Sequence, residues 1–214
     1  MKFIFPISIL LWIVFGQQLS HSQPNVPSEV PKLLLMGEIP RECLEFLQSK
    51  PYELHLQREP LSYKSIKHLN VIVIGRYLKE LLPSDGKALQ AFVLEGGTLI
   101  LAAQSWSYAA YDKKDYEFPL NALGKKLGFH IESKYAGAPT DFNSHYLSGM
   151  KSFDMKGNVP SPITYTGKGN YLIRDKGKTN MAVRLFRGKG SVYVYGHAFF
   201  LTNKALVESS ISSL

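Results

Sequence analysis

The sequence predicts an α/β domain built on a mainly parallel central sheet. Three observations lead there. The runs Lys32–Met36 (KLLLM), Val71–Ile74 (VIVI) and Thr98–Ala102 (TLILA) are apolar almost throughout, as strands buried on both faces are. Helical patterns lie between them, the strand–helix rhythm of βαβ units. The composition, 45% hydrophobic and 20% charged over 214 residues, is that of one ordinary globular domain and excludes a disordered chain, a collagen-like repeat and a disulfide scaffold.

The elements follow in order. After strand 32–36, Pro40 stands where a helix begins, and Arg41–Ser49 continues it. Tyr52–Leu56 reads as a second strand and Ser65–Leu69 as a short helical turn. Val71–Ile74 is the clearest buried strand. Ser84 suits a helix cap, Asp85 complements the helix dipole, and Leu89, Phe92 and Val93 share one helical face. Gly96-Gly97 ends that helix, one glycine taking the left-handed cap. Strand 98–102 follows. Leu120, Leu123 and Leu127 form another helical stripe stopped by Gly128, and Phe129–Ser133 reads as a strand. Ala136–Lys178 is rich in Gly, Pro, Ser, Asn and Thr and predicts long loops and short strands. Met181–Phe186 and Ser191–Tyr195 form a C-terminal hairpin across Arg187-Gly188-Lys189-Gly190. Leu201–Leu214 closes the chain as a helix capped by Thr202.

The N-terminus has a different character. Met1-Lys2 precedes the apolar run Phe3–Gly16, too short for the roughly 20 residues of a membrane span and right for a signal peptide. Ser20-His21-Ser22 gives a small-x-small cleavage site, so the expected organisation is a signal at 1–22, a linker at 23–31 and a domain at 32–214. An uncleaved anchor is the alternative. Either places the domain outside the cytosol, in the periplasm if the source is bacterial, and after cleavage no membrane span is expected. The one cysteine, Cys43, sits in a helical pattern beside Leu44, Phe46 and Leu47 and reads as a buried thiol.

The formal charge of +8 is scattered. Lys113-Lys114 and Lys125-Lys126 are pairs, without the interleaved aromatics of a nucleic-acid surface, and no nucleic-acid partner is expected. Gly167-Lys168-Gly169 and Gly188-Lys189-Gly190 do not open helices at Walker or dinucleotide spacing, so both read as hairpin turns. His55, His68, His130 and His145 show no metal-ligand spacing, and neither a metal nor a cofactor is expected.

Ligands of open α/β sheets gather at the carboxyl ends of the strands. Ala103-Gln104-Ser105-Trp106-Ser107-Tyr108 follows strand 98–102. Ser105 is the candidate nucleophile there, but the stretch lacks the glycines that relieve such a turn. Otherwise Gln104, Ser105, Trp106 and Tyr108 are binding residues of a rim. His197, after the last strand, is a candidate general base or a structural residue holding the C-terminal helix. Thr140–His145 is a polar loop able to contact a ligand.

Phe92–Tyr108 (FVLEGGTLILAAQSWSY), Phe118-Pro119-Leu120-Asn121, Leu127-Gly128 and Gly188–His197 (GKGSVYVYGH) resemble the class I glutamine-amidotransferase-like domains. They are most similar to the N-terminal domain of the TRP-channel-associated factor and enhancin-like peptidase group. The resemblance covers about residues 33–203. It implies a flavodoxin-like three-layer sandwich. It also implies which catalytic groups are missing. The family's nucleophilic Cys is replaced by Ala103-Gln104-Ser105, Phe199 stands where its Glu follows the His, and the peptidase motif is absent. The expected function is therefore a secreted, non-catalytic domain binding a protein partner or glycan-like ligand through Gln104, Ser105, Trp106, Tyr108 and His197. The alternatives are a serine hydrolase using Ser105 and His197, with Asp112 or Asp141 orienting the base, and a purely structural interaction module.

Overall fold

The computed structural model describes residues 30–57, 59–76, 81–109, 114 and 117–212, without the side chains of 108 and 109. The signal and most of the linker expected at 1–31 lie outside the described residues. Among the described residues no helix is long and apolar enough to cross a membrane.

Eight strands form one mixed sheet. They are β1 (Lys32–Met36), β2 (Glu53–Leu56), β3 (Val71–Ile74), β4 (Thr98–Ala102), β6 (Pro139–Phe142), β8 (Gly169–Asp175), β9 (Asn180–Arg187) and β10 (Gly190–Tyr195), in the order β2-β1-β3-β4-β10-β9-β8-β6. The pairs from β2 through β10 are parallel. Those from β10 through β6 are antiparallel. The expected parallel sheet is thus extended by an antiparallel edge.

Alternation within each strand sends side chains to two cores. Leu34, Met36, Ile72, Ile74, Leu99, Leu101, Val192 and Val194 face one side. There they meet α2 (Tyr63–Ile66), α3 (Pro83–Leu94) and α5 (Pro119–Leu127) through Ile66, Leu89, Phe92, Leu123 and Leu127. Leu33, Leu35, Val71, Val73, Ile100, Tyr193 and Tyr195 face the other side. They meet α1 (Arg41–Gln48) and α6 (Lys204–Ile211) through Cys43, Phe46, Leu47, Leu206 and Val207. Burial on both faces is why these strands read as continuous apolar runs.

Several boundaries differ from the sequence reading. Ser84 does not cap α3. Pro83 already occupies its first turn, and the Asp85 carboxylate instead accepts from the Leu82 and Leu61 N–H groups. One buried acid thus serves the start of α3 and ties it to Leu61, 24 residues upstream. Strand β5 (Phe129–Ile131) leaves the main sheet and pairs with β7 (Ile163–Tyr165), because Asn121 holds both the N–H and C=O of Ile131. Gly167-Lys168-Gly169 is not a hairpin turn. It carries the chain from the small sheet to the large one, closed over Arg187, which donates to the Thr166 and Lys168 carbonyls. Thr202 ends a 3-10 turn (Ala198–Thr202), its hydroxyl donating to Phe199 O, and Asn203 caps α6.

The hairpin of β9 and β10 stands as read. Gly188 opens its loop at φ +56°, the first-position requirement of a II′ turn. A Cβ there would lie 2.5 Å from Leu94 O, so the loop also packs against the end of α3. Cys43 is buried, and burial pushes its thiol up to about 12.

Candidate functional site

β4 and β10 are neighbours with Ala102 opposite Tyr195, and the Ala103 N–H donates to Tyr195 O. The loops leaving the two strands therefore run side by side. That register brings Gln104, Ser105, Trp106 and His197 to one end of the sheet. Trp106 opens the short helix α4 (Trp106–Ala109). The side chain of Tyr108 and all of Asp112 lie outside the described residues.

Ser105 is fully buried. Its N–H donates to Ser161 Oγ at 3.0 Å, its hydroxyl donates to Ile131 O at 2.9 Å, and Ser133 Oγ lies 3.2 Å away. Ser161 in turn donates its N–H to Gly196 O, so it straps the two loops together. Gln104 is 8% exposed, and its carboxamide oxygen is buried with no donor among the described residues.

His197 is 5% exposed. Its Nδ1 accepts from the Phe199 N–H at 3.0 Å, which starts the 3-10 turn. A neutral imidazole has one acceptor nitrogen, so the proton of this ring sits on Nε2. Burial, with the Arg76 charge second, holds the pKa down to about 4. The Trp106 indole N–H donates to Val159 O at 2.8 Å. Its ring lies 5.3 Å from that of Tyr135 and stacks on His197 at 6.4 Å. Tyr135 is 68% exposed, so the three rings form a shelf running from solvent to the buried imidazole.

Asp141 is not brought to this site. It lies on the edge strand β6, three strand positions from β10, about 14 Å at roughly 4.8 Å per strand. What orients His197 is a backbone N–H. The sequence kept the remaining histidines apart, whereas the fold places the His55 and His68 rings 6.4 Å from each other, with Glu53 against His55. Among the described residues no three His, Cys, Asp or Glu side chains form a metal-holding group.

No family model matches the chain. The TRPM8 channel-associated factor homolog of Xenopus laevis is 27% identical over 147 aligned residues. The chain is similar to a TRP-channel-associated factor. The match covers 58% of this chain and 16% of that protein, so the chain spans a small part of its relative's length. Among solved structures, the mmIFT52 N-terminal domain has a TM-score of 0.61 at 8% identity, covering 85% of this chain and 92% of that one. A cytoplasmic protein of Salmonella typhimurium has 0.59 at 12%, covering 86% and 99%. A β-galactosidase from Rahnella sp. R3 has 0.60 at 14%, covering 86% and 31%. At such identities the likeness is one of fold alone.

Sequence reasoning missed Ser161, Tyr135, Glu38 and Arg76. Ser161 and Tyr135 lie in the irregular stretch after β5, where no periodicity marks a partner. Glu38 and Arg76 carried a signal: each follows a glycine at the end of a buried strand, Gly37 after β1 and Gly75 after β3. A Cβ on Gly75 would lie 2.0 Å from Glu38 O. Its absence lets the two chain ends cross, with the Glu38 N–H donating to Arg76 O and the two side chains paired at 2.6 Å.

Proposed function

We propose that the chain is a secreted, non-catalytic, amidotransferase-like binding domain. It would hold a glycan-like ligand or a protein partner at the carboxyl ends of the parallel strands, through Gln104, Trp106, Tyr108 and His197. The observation that carries this reading is how Ser105 and His197 spend their polar atoms. The Ser105 hydroxyl is buried against Ile131 O, and the one basic lone pair of His197 is taken by the Phe199 N–H. A nucleophile and a base need those atoms for each other. The shelf of Trp106, Tyr135 and His197 supports binding instead, since flat rings with polar edges stack on sugars and pack at interfaces. A flavodoxin-like three-layer architecture is supported by helices on both faces and by the parallel strands, which run 2-1-3-4-5 in chain order. Similarity to a TRP-channel-associated factor supports the family side of the proposal. The basic start and apolar run of residues 1–16 support export, which N-terminal sequencing of the exported protein checks.

A glycan array and a pull-down test the binding reading. Binding that falls at least tenfold in Trp106→Ala supports it. Fluorophosphonate labelling that disappears in Ser105→Ala would establish the serine hydrolase in its place, and no binding to any glycan or protein leaves the purely structural module.

A further inference from the structure

Resting on the binding-domain reading, we propose that the crevice between the ends of β1 and β3 binds a small hydroxylated carboxylate, the size of one sugar acid. Its carboxylate would sit at the start of α1. The location follows from topology. The chain leaves β1 toward β2 on one side and returns to β3 on the other, and ligands of open sheets sit outside the strand ends at such a reversal. A cavity of about 260 Å³ lies there, with Glu38, Arg41, Arg76, Asn158, His197 and Phe199 in its wall. Ligand pockets run from about 300 to 1,000 Å³, so this one suits a single ring.

Two independent features point to a carboxylate. Helix α1 starts in the cavity wall after Pro40, which has no N–H and offers no side-chain cap. The Leu44 N–H is the first to close onto the helix, at Pro40 O. The N–H groups of Arg41, Glu42 and Cys43 before it have no acceptor within the helix, and such an end attracts anions. The second feature is His197. The residue is 5% exposed and lines the cavity. With Nδ1 occupied by Phe199 N–H, the Nε2–H is a donor with no acceptor among the described residues. Lining the cavity, it is a donor that an acceptor entering there can meet.

The charges around these donors select among anions. Arg76 is paired with Glu38 and Arg41 with Glu45, and Glu42 stands in the first turn of α1. The two arginines are offset by nearby acids, which suits a singly charged carboxylate better than a phosphate dianion. The carboxylate of Glu42 and the carboxamide oxygen of Asn158, whose amide N–H donates to Met155 O, are left to accept from hydroxyls, and Phe199 offers a flat apolar wall to the ring.

Isothermal titration of the full chain with glucuronate, glucose and inorganic phosphate tests the proposal. The expected result is saturable glucuronate binding, with glucose and phosphate at least tenfold weaker. His197→Asn keeps an oxygen to accept from the Phe199 N–H but removes the ring N–H, and weakens glucuronate about tenfold. Arg41→Gln, at a side chain 87% exposed and therefore safe for folding, weakens it several-fold. No binding, equal binding of glucose, tighter binding of phosphate, or glucuronate binding unchanged in both variants overturns it. A chain that binds glycans through Trp106 and ignores glucuronate refutes the crevice alone. A chain that binds glucuronate and no larger glycan or protein refutes the extended rim alone.

Discussion

His197 makes the stability of this protein depend on pH in a window set by its burial. Unfolded, the imidazole titrates near 6.5, and in the fold it titrates at about 4. Between those values the unfolded chain holds a proton that the native chain does not, so stability falls as the pH drops from 6.5 toward 4. The native pKa is depressed, so the contribution is complete above 6.5 and used up below about 4. A gap of about 2.5 pH units, at about 1.4 kcal/mol each, gives about 3 kcal/mol. His197→Asn removes the titration while leaving a side-chain oxygen for the Phe199 N–H, as Asn is among the best residues at such a cap. The assay is urea denaturation at several pH values from 4 to 7.5. Only the difference between wild type and variant is used, which cancels the carboxylates that titrate in both. The variant should gain on the wild type by about 3 kcal/mol on going from pH 7 to 4. A difference that stays constant across this range would refute the argument, and with it the view that the ring is buried and neutral.

Three further outcomes follow from the contacts. Ser105→Ala should cost about 1 kcal/mol, because Ile131 O keeps its bond from Asn121, whereas Asn121→Ala orphans the Ile131 N–H and should cost about 2–3 kcal/mol. The double variant should exceed their sum, since the carbonyl then loses both donors, and denaturant titration of the four proteins measures this. Gly75→Ala drives a Cβ into Glu38 O, a backbone atom, and should cost about 3 kcal/mol or more, read as a lowered denaturation midpoint. Cys43, buried and with its thiol pushed up to about 12, should resist a disulfide reagent at pH 8 in the native protein and react at once in denaturant.

Much of the parallel half of the fold was legible because local chemistry determines it. VIVI carries no polar residue and TLILA only its first, Thr98, so both must be covered on both sides, and Gly128 stops α5 by adopting the left-handed cap (φ 73°, ψ 41°). The antiparallel edge was legible only at the Gly188 turn, because β6 finds its partner in β8 across a long irregular stretch, and both strands carry mixed side chains. The site divided in the same way. Gln104, Ser105, Trp106 and His197 follow apolar strands, and the rule that ligands collect at strand ends found them. Most of their bonding could not be read, because it depends on Ile131, Val159 and Ser161, whose distances come from packing; only the Phe199 N–H that caps onto His197 is local.

The sequence by itself determined that this chain buries a sheet between helices and which strand ends carry polar and aromatic residues. Periodicity and turn chemistry act over a few residues and need no partner. Only the tertiary structure decided that Ser105 gives its hydroxyl to a carbonyl, that His197 is held neutral, and that Glu38 and Arg76 meet across two glycines. The first and last are contacts between residues 26 and 38 positions apart, and the second is the work of burial, so geometry and desolvation were fixed by how the layers close.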